Sequence, residues 1–342
     1  MRPVLHLHTR NSPNRPRISR ICLLAVAALA ACDADPTRPA PQDRAIVAFD
    51  RNAYVAAPSV ELDNQLGAAG SALAAVSTLS SPNVIVNGSF EAGGGSLTGW
   101  TQFNQGFSLG SWFVQSGTGS PISGFPVQPP TDGAHAAMTD QFGPGTHVLY
   151  QDVTVPAGAR LSFDVFIANR AGIFWTPASL SFDVFPNQQA RVDIVTTTSS
   201  VLDVGPGVIA NVFRADVGDP DVSGYETVTT SLASLAGRTV RIRFGQVETV
   251  YFFQTGIDNV SLRTTYDDLC ESVRMLVSQP GIQNALCSKL SAAAAAESRG
   301  GASEQNGILR AFTQQVEAQA GKSITEADAA LLIGAAESLM AA

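Results

Sequence analysis

The chain has 342 residues, 21 of them basic and 29 acidic, for a formal net charge of -8. So acidic a chain is not drawn to nucleic acid or to anionic lipid by its overall field, which excludes nucleic acid as a partner. Hydrophobic residues make up 45% of it and charged residues 15%, enough apolar material for folded domains with sizeable cores.

The N-terminal region has the pattern of an export signal. Arg2, Arg10, Arg15, Arg17 and Arg20 stand without an acidic residue, and an apolar run follows from Ile21 to Ala31. That run has the length of a signal segment and is too short for a permanent membrane span. It closes on Leu29-Ala30-Ala31-Cys32, after which Asp33, Asp35 and Pro36 turn the composition polar. These closing residues resemble the lipobox of exported bacterial lipoproteins. The resemblance implies that residues 1–31 are removed, that Cys32 carries acyl chains, and that the membrane is a partner through this lipid anchor. An ordinary secretory signal that contains a cysteine is the alternative; both send the chain out of the cytoplasm. Removing residues 1–31 takes away five arginines and no acid, leaving 16 basic against 29 acidic residues and a formal net charge of -13. No later segment reaches the ~18 consecutive apolar residues of a span. Anchoring therefore falls to acyl chains, at about 0.8 kcal/mol per buried CH₂.

Residues 32–82 are rich in Ala, Pro, Ser and Asp without a sustained period, which predicts a lipidated, flexible linker. From Asn83 onward, short runs of β-branched and aromatic residues are separated by Gly, Pro, Asn and Asp. His147–Val155, Arg160–Ile167, Leu180–Phe185, Arg191–Val195 and Thr239–Phe244 alternate apolar with polar, the period of antiparallel strands with one buried face. In the last run Val240, Ile242 and Phe244 are expected to face the core, and Arg241 and Arg243 to face water. Many such strands predict a jelly-roll β-sandwich over residues 83–263.

At residue 264 the period becomes helical. Thr265 with Asp268, and Thr325 with Asp328, read as capping boxes. Stripes at Leu269, Val273, Leu276 and Val277, at Ile282, Leu286 and Leu290, and at Ile308, Leu309, Phe312 and Val316 predict about four helices, punctuated at Pro280-Gly281 and Gly300-Gly301. Residues 264–342 thus read as a small all-α helical bundle. Cys270 and Cys287 are the only cysteines after Cys32. In an oxidising compartment they read as a disulfide rather than a metal site, closing a loop of ~17 residues that contributes about 3 kcal/mol in the chain-entropy view.

Three motifs in the sandwich region carry a further resemblance. Val86-Asn87-Gly88-Ser89-Phe90-Glu91 with Gly99-Trp100 opens it, Thr131-Asp132-Gly133-Ala134-His135-Ala136-Ala137 lies inside, and Gly256-Ile257-Asp258-Asn259-Val260-Ser261-Leu262 closes it. This order resembles the galactose-binding-like jelly rolls that include many carbohydrate-binding modules. The resemblance implies that the first and last motifs lie side by side as strands, and that a structural calcium ion sits there. Glu91, Asp132 and Asp258 would supply the hard oxygens Ca²⁺ prefers. Asp258 shares parity with Val260 and Leu262 and so points inward, while Glu91 needs a bend to do so. The other reading is that these acids cap turns and bond backbone amides.

The helical region is similar to a small family of C-terminal domains in exported bacterial proteins, the FIMAH type. The similarity rests on Gly281–Leu286, Lys289-Leu290, Leu309–Phe312, Val316–Gln319, Gly321–Ile324 and Ala330–Ile333, with Thr313 in place of the usual Ile. It implies an accessory domain without chemistry of its own.

Constellations for catalysis are missing from the sequence. His135 and His147 have Asp132, Asp140 and Asp152 around them in the chain, but no nucleophile-elbow serine, and no motif marks a pair of carboxylates. Gly93-Gly94-Gly95 lacks the Lys-Ser/Thr of a phosphate loop. The chain is therefore expected to be non-catalytic, a glycoside hydrolase being the less favoured reading. A binding module for sugar needs aromatic faces with polar groups beside them. Trp100 is assigned to the core. Trp175, in the loop Gly172–Pro177 with Asn169 and Arg170 at its base, is the main candidate; Tyr251 and Trp112 are the others. Each is either a ligand contact or a packed loop anchor. Two functions follow: an anchored protein that binds carbohydrate or another surface polymer, or a structural or adhesive surface protein whose sandwich is a spacer or protein-binding module.

Overall fold

The structure is a computed structural model and describes residues 81–340. The signal, Cys32 and nearly all of the linker lie outside the described residues. Ten strands form the sandwich: β1 Thr101–Asn104, β2 Gly110–Ser116, β3 His135–Gln141, β4 Gly145–Thr154, β5 Ala159–Asn169, β6 Gln188–Thr196, β7 Val208–Arg214, β8 Glu226–Ser231, β9 Thr239–Glu248 and β10 Phe253–Thr264. They make two five-stranded antiparallel sheets, ordered β1-β4-β9-β6-β7 and β2-β3-β10-β5-β8. Because successive strands alternate in direction, the β1–β2, β3–β4, β5–β6, β7–β8 and β9–β10 connections gather at one end, called here the loop end.

Between the sheets, residues of alternating parity bury one apolar core that includes Leu149, Phe163, Val192, Ile194, Phe244, Ile257 and Leu262. Phe90, Trp100, Phe244 and Phe163 stack in succession with ring centroids 5.5–5.6 Å apart. Trp100 keeps its indole N–H satisfied by donating to the Asn87 carbonyl at 3.0 Å, which is what allows a tryptophan into an otherwise apolar layer. Trp112 joins the same core at 2% exposure.

Three local expectations are corrected. Arg241 and Arg243 do lie on the outer face of the first sheet, but neither faces water. Arg241 is forked onto Asp152 and stacked over Tyr150, and Arg243 is fully buried under the β6–β7 connection. The run Leu180–Phe185 is not a strand: it folds over that sheet, with Leu180 against Gly245 and Asn187 bonded back to the carbonyls of Ser179 and Ser181. The opening motif is likewise a looped segment rather than a strand, with Asn87 at φ 54° and Phe90 at φ 59°. It does lie beside the closing motif. Val260 donates to the Gly88 carbonyl at 2.9 Å, and a Cβ on Gly88 would fall 1.9 Å from the Val260 oxygen, so only glycine permits the approach.

Four helices follow: α1 Tyr266–Leu276, α2 Pro280–Ser298, α3 Ala302–Gln319 and α4 Glu326–Met340. The Thr265 hydroxyl accepts from the Asp268 N–H, and Thr325 from that of Asp328. Pro280 opens α2 where its missing N–H costs nothing. Leu269, Leu286, Leu309, Phe312, Val316 and Leu332 lie in a second core. Cys270 and Cys287 form a disulfide joining α1 to α2. The helices dock on the end of the sandwich opposite the loop end. There Gly158, at φ 69°, lets the Leu269 backbone approach, donates to Ser272 Oγ and accepts from the Thr265 N–H, while Arg160 forks onto Asp268 at 2.7 and 3.1 Å. Among the described residues no helix is long and apolar enough to cross a membrane.

Candidate binding surface at the loop end

The β5–β6 and β9–β10 connections carry the aromatic candidates, and one buried side chain ties the two together. Gln188, wholly buried at the start of β6, donates to Asn169 Oδ1 at 3.0 Å and to the Tyr251 carbonyl at 2.7 Å. Its own oxygen accepts from the N–H groups of Thr249 and Val250. On the other side of the same residue, Gln188 and Trp175 exchange backbone bonds at 3.1 and 2.8 Å. Trp175 is half-buried and Tyr251 is 53% exposed. Both are therefore presented from loops whose backbone is satisfied from beneath, the condition for a surface that keeps its shape.

Beside them Arg170 lies over the Phe125 ring at 4.2 Å, and Phe125 meets Phe252 edge-on at 4.9 Å, as Phe252 meets Tyr251 at 5.2 Å. Arg170 is held by bonds to Gln254 Oε1 and the Pro126 carbonyl. Phe125 arrives from the long β2–β3 connection, which climbs over the second sheet to the loop end. Its place here was not read from the sequence; the one signal was an aromatic inside the loop-like Ser123-Gly124-Phe125-Pro126. Two candidates drop out as contacts. Trp112 points into the core, and Asn169, 2% exposed, spends its amide on the Ile173 carbonyl and on Asp221. Asn169 is a loop anchor. Farther along the same end, Phe107 (97% exposed) and Phe142 (68%) stand on the β1–β2 and β3–β4 connections, and Phe185 (73%) on the β5–β6 connection itself.

The three acids of the expected calcium site do not converge. A bulge between Asp258 and Ser261, with Asn259 at φ 50°, breaks the parity, so Asp258 lies opposite Asp164 on the outer face of β10. There its oxygens accept from the N–H groups of Thr131, Asp132 and Asn259 and from the Thr131 hydroxyl. Burial holds the Asp258 carboxyl above its ordinary range despite those donors. Glu91 accepts from the Ala134 and His135 N–H groups at 2.6 Å and pairs with His135 Nδ1 at 2.7 Å, a contact that lowers its pKa. The Asp132 residue is exposed. Glu91 and Asp258 thus clamp the two sides of one turn, residues 131–135, through backbone amides. Among the described residues no three His, Cys, Asp or Glu side chains are grouped to hold a metal.

Among the described residues, neither His135 nor His147 is bonded to a serine. His147 is buried with its Nδ1 2.9 Å from Asn104 Oδ1, and desolvation pushes its pKa down to about 4.

No protein-family model and no curated protein matches the chain. Solved structures do. TmCBM61, in complex with β-1,4-galactotriose, aligns at 11% identity over 53% of this chain and 98% of its own, with a TM-score of 0.34. The K1 cleaved adhesin domain of Lys-gingipain from Porphyromonas gingivalis W83 aligns at 16% identity over 52% of this chain and 96% of its own, TM-score 0.32. A Stig cyclase, Fisc, from Fischerella sp. TAU aligns at 18% identity over 54% and 96%, TM-score 0.32.

Proposed function

We propose that this is an exported, lipid-anchored, non-catalytic protein whose loop end binds carbohydrate or another surface polymer. The observation that supports it is the row Tyr251, Phe252, Phe125 and Arg170, with Trp175 on the β5–β6 loop that Gln188 pins to the β9–β10 loop and Phe125 supplied by the β2–β3 connection. Sugar rings offer C–H faces to such aromatics and hydroxyls to a guanidinium. The full chain on a glycan array is expected to retain a defined set of glycans, and Tyr251→Ala and Trp175→Ala each to weaken the best of them about tenfold or more, ~1.4 kcal/mol. Retention of no glycan, or binding untouched by both changes, sinks this reading. The exposed Phe107, Phe142 and Phe185 favour a second one, adhesion to an apolar protein surface, in which Phe107→Ser would matter and Tyr251→Ala would not.

Anchoring rests on Cys32. Expressed in a bacterial host, the Cys32→Ser chain is expected to leave the membrane fraction, since the described helices offer no span to replace an acyl anchor. Firm retention of that variant in washed membranes would remove the anchor from the proposal.

A further inference from the structure

The five connections at the loop end, together with the β2–β3 connection that climbs to it, contain a single Lys or Arg, and that residue is Arg170. The first residue after β5, it donates its backbone N–H to the Phe252 carbonyl at 2.9 Å and so stands against the aromatic row. Its guanidinium is fixed on three sides. The face lies over the Phe125 ring at 4.2 Å, Nε donates to Gln254 Oε1 at 3.2 Å, and Nη2 donates to the Pro126 carbonyl at 3.0 Å. Neither bond uses Nη1, and the residue is half-buried rather than covered.

Neutral groups hold this arginine. Arg160, Arg191, Arg214, Arg241, Arg243 and Arg299 each meet a carboxylate directly, whereas among the described residues Arg170 meets none. Its counter-charge stands one residue back, where Gln254 Nε2 donates to Asp140 Oδ1 at 3.2 Å. Burial alone would raise the Asp140 carboxyl, but bonds from the Ser123 hydroxyl and from the Ser123 and Ile122 N–H groups outweigh it and hold the group below the ordinary carboxylate range. The chain Asp140–Gln254–Arg170 therefore aims the guanidinium without neutralising it by contact. A guanidinium ordered in advance in this way loses little freedom when it forks onto an anion.

We propose that Arg170 makes the loop end selective for glycans carrying a carboxylate sugar, a uronic acid, set against the row of Tyr251, Phe252 and Phe125. The inference rests on the glycan reading of that surface and narrows it. A planar guanidinium matches a carboxylate in shape, and a hydrogen bond between ionised groups is about twice as strong as one between neutral groups. A ring hydroxyl would leave the charge unused. The neighbouring β7–β8 connection brings Asp216, Asp219 and Asp221 close, since the Asp221 carbonyl accepts the Asn169 N–H at 2.7 Å. Arg214 forks onto Asp216, and Asp221 Oδ1 accepts from Asn169 Nδ2. With these acids beside it and a formal net charge of -8 over the chain, the surface disfavours a dense polyanion. It suits single carboxylates spaced by neutral rings.

The test begins with the full, unaltered chain. Oligosaccharides with spaced uronates, from glucuronoxylan, hyaluronan and partly esterified pectin, are titrated beside the same fragments with every carboxylate methyl-esterified. The best acid is expected to bind about tenfold tighter than its ester, and to lose much of that margin as salt is raised. Arg170→Gln should bind acid and ester alike, while Arg170→Lys should keep part of the preference and serves if the first variant does not fold. An arginine that only latched the β2–β3 connection would, when replaced, weaken both ligands together and leave their ratio unchanged. Acid and ester bound equally by the unaltered chain overturn the inference and leave the glycan reading standing; no glycan bound at all overturns both. A preference that survives Arg170→Gln overturns the role of Arg170, and tighter binding of heavily sulfated heparin fragments than of any uronate overturns the carboxylate.

Discussion

Replacing Asp193 by alanine is expected to destabilise the sandwich by about 3–5 kcal/mol, the cost of removing one partner from a buried ion network. Asp193 is wholly buried on β6 and accepts from Arg191 Nε and Nη2 at 2.7 and 2.8 Å, from Arg243 Nη2 and from Asn211 Nδ2. The second guanidinium, also wholly buried, reaches on to the carbonyls of Val201 and Asp203 and so holds the β6–β7 connection down. Without the carboxylate, two cations sit 2.5–3 Å from where their shared partner was, in a place water does not reach, and burial already disfavours the charge on Arg243. Chemical denaturation of the variant against the parent measures the loss; a change below about 1 kcal/mol would mean the network carries little. Replacing Arg191, Asp193 and Arg243 together by apolar residues of similar volume should cost far less than the single change, since it removes the desolvated charges with their bonds.

The same network shows how far the sequence could be read. Alternation along Thr239–Phe244 correctly separates the core-facing Val240, Ile242 and Phe244 from the arginines between them. It is silent on what covers the outer face, because period two reports the pleat and not the connections lying on it. The loops that fold over that face, residues 176–187 and 197–207, decide that Arg243 is buried. The helical region was legible in more detail, since caps, stripes and the Pro280 start are local signals, and the helices follow them closely. Of the loop-end surface, Tyr251, Trp175 and Arg170 could be picked by residue type. Gln188 and Phe125 could not, being joined to them only by the fold. Asp258 failed for a third reason: a single bulged residue, Asn259, reversed the face on which it lies.

Changing Glu248 to glutamine is expected to stabilise the protein by about 3 kcal/mol at pH 7 and more at higher pH. The carboxyl has a folded pKa raised to about 9 against an ordinary value of 4.5, the cause being burial. The unfolded chain therefore releases this proton as pH passes 4.5, while the folded chain keeps it until about 9. Stability contributed by the neutral carboxyl is full below the unfolded value and is lost across that window at about 1.4 kcal/mol per pH unit. A glutamine has no proton to lose, and its oxygen can accept the Phe253 N–H as Glu248 does. His147 titrates in the opposite sense. Its folded pKa lies near 4 against 6.5 unfolded, so stability falls as pH drops through that range, in parent and variant alike. The difference between the two proteins thus isolates Glu248. Urea denaturation at pH 4.5, 7 and 8.5 should give a gap that starts near zero and widens steadily. A gap that stays flat with pH would mean that Glu248 is ionised in the folded protein throughout, and the burial argument for its neutral state would fall.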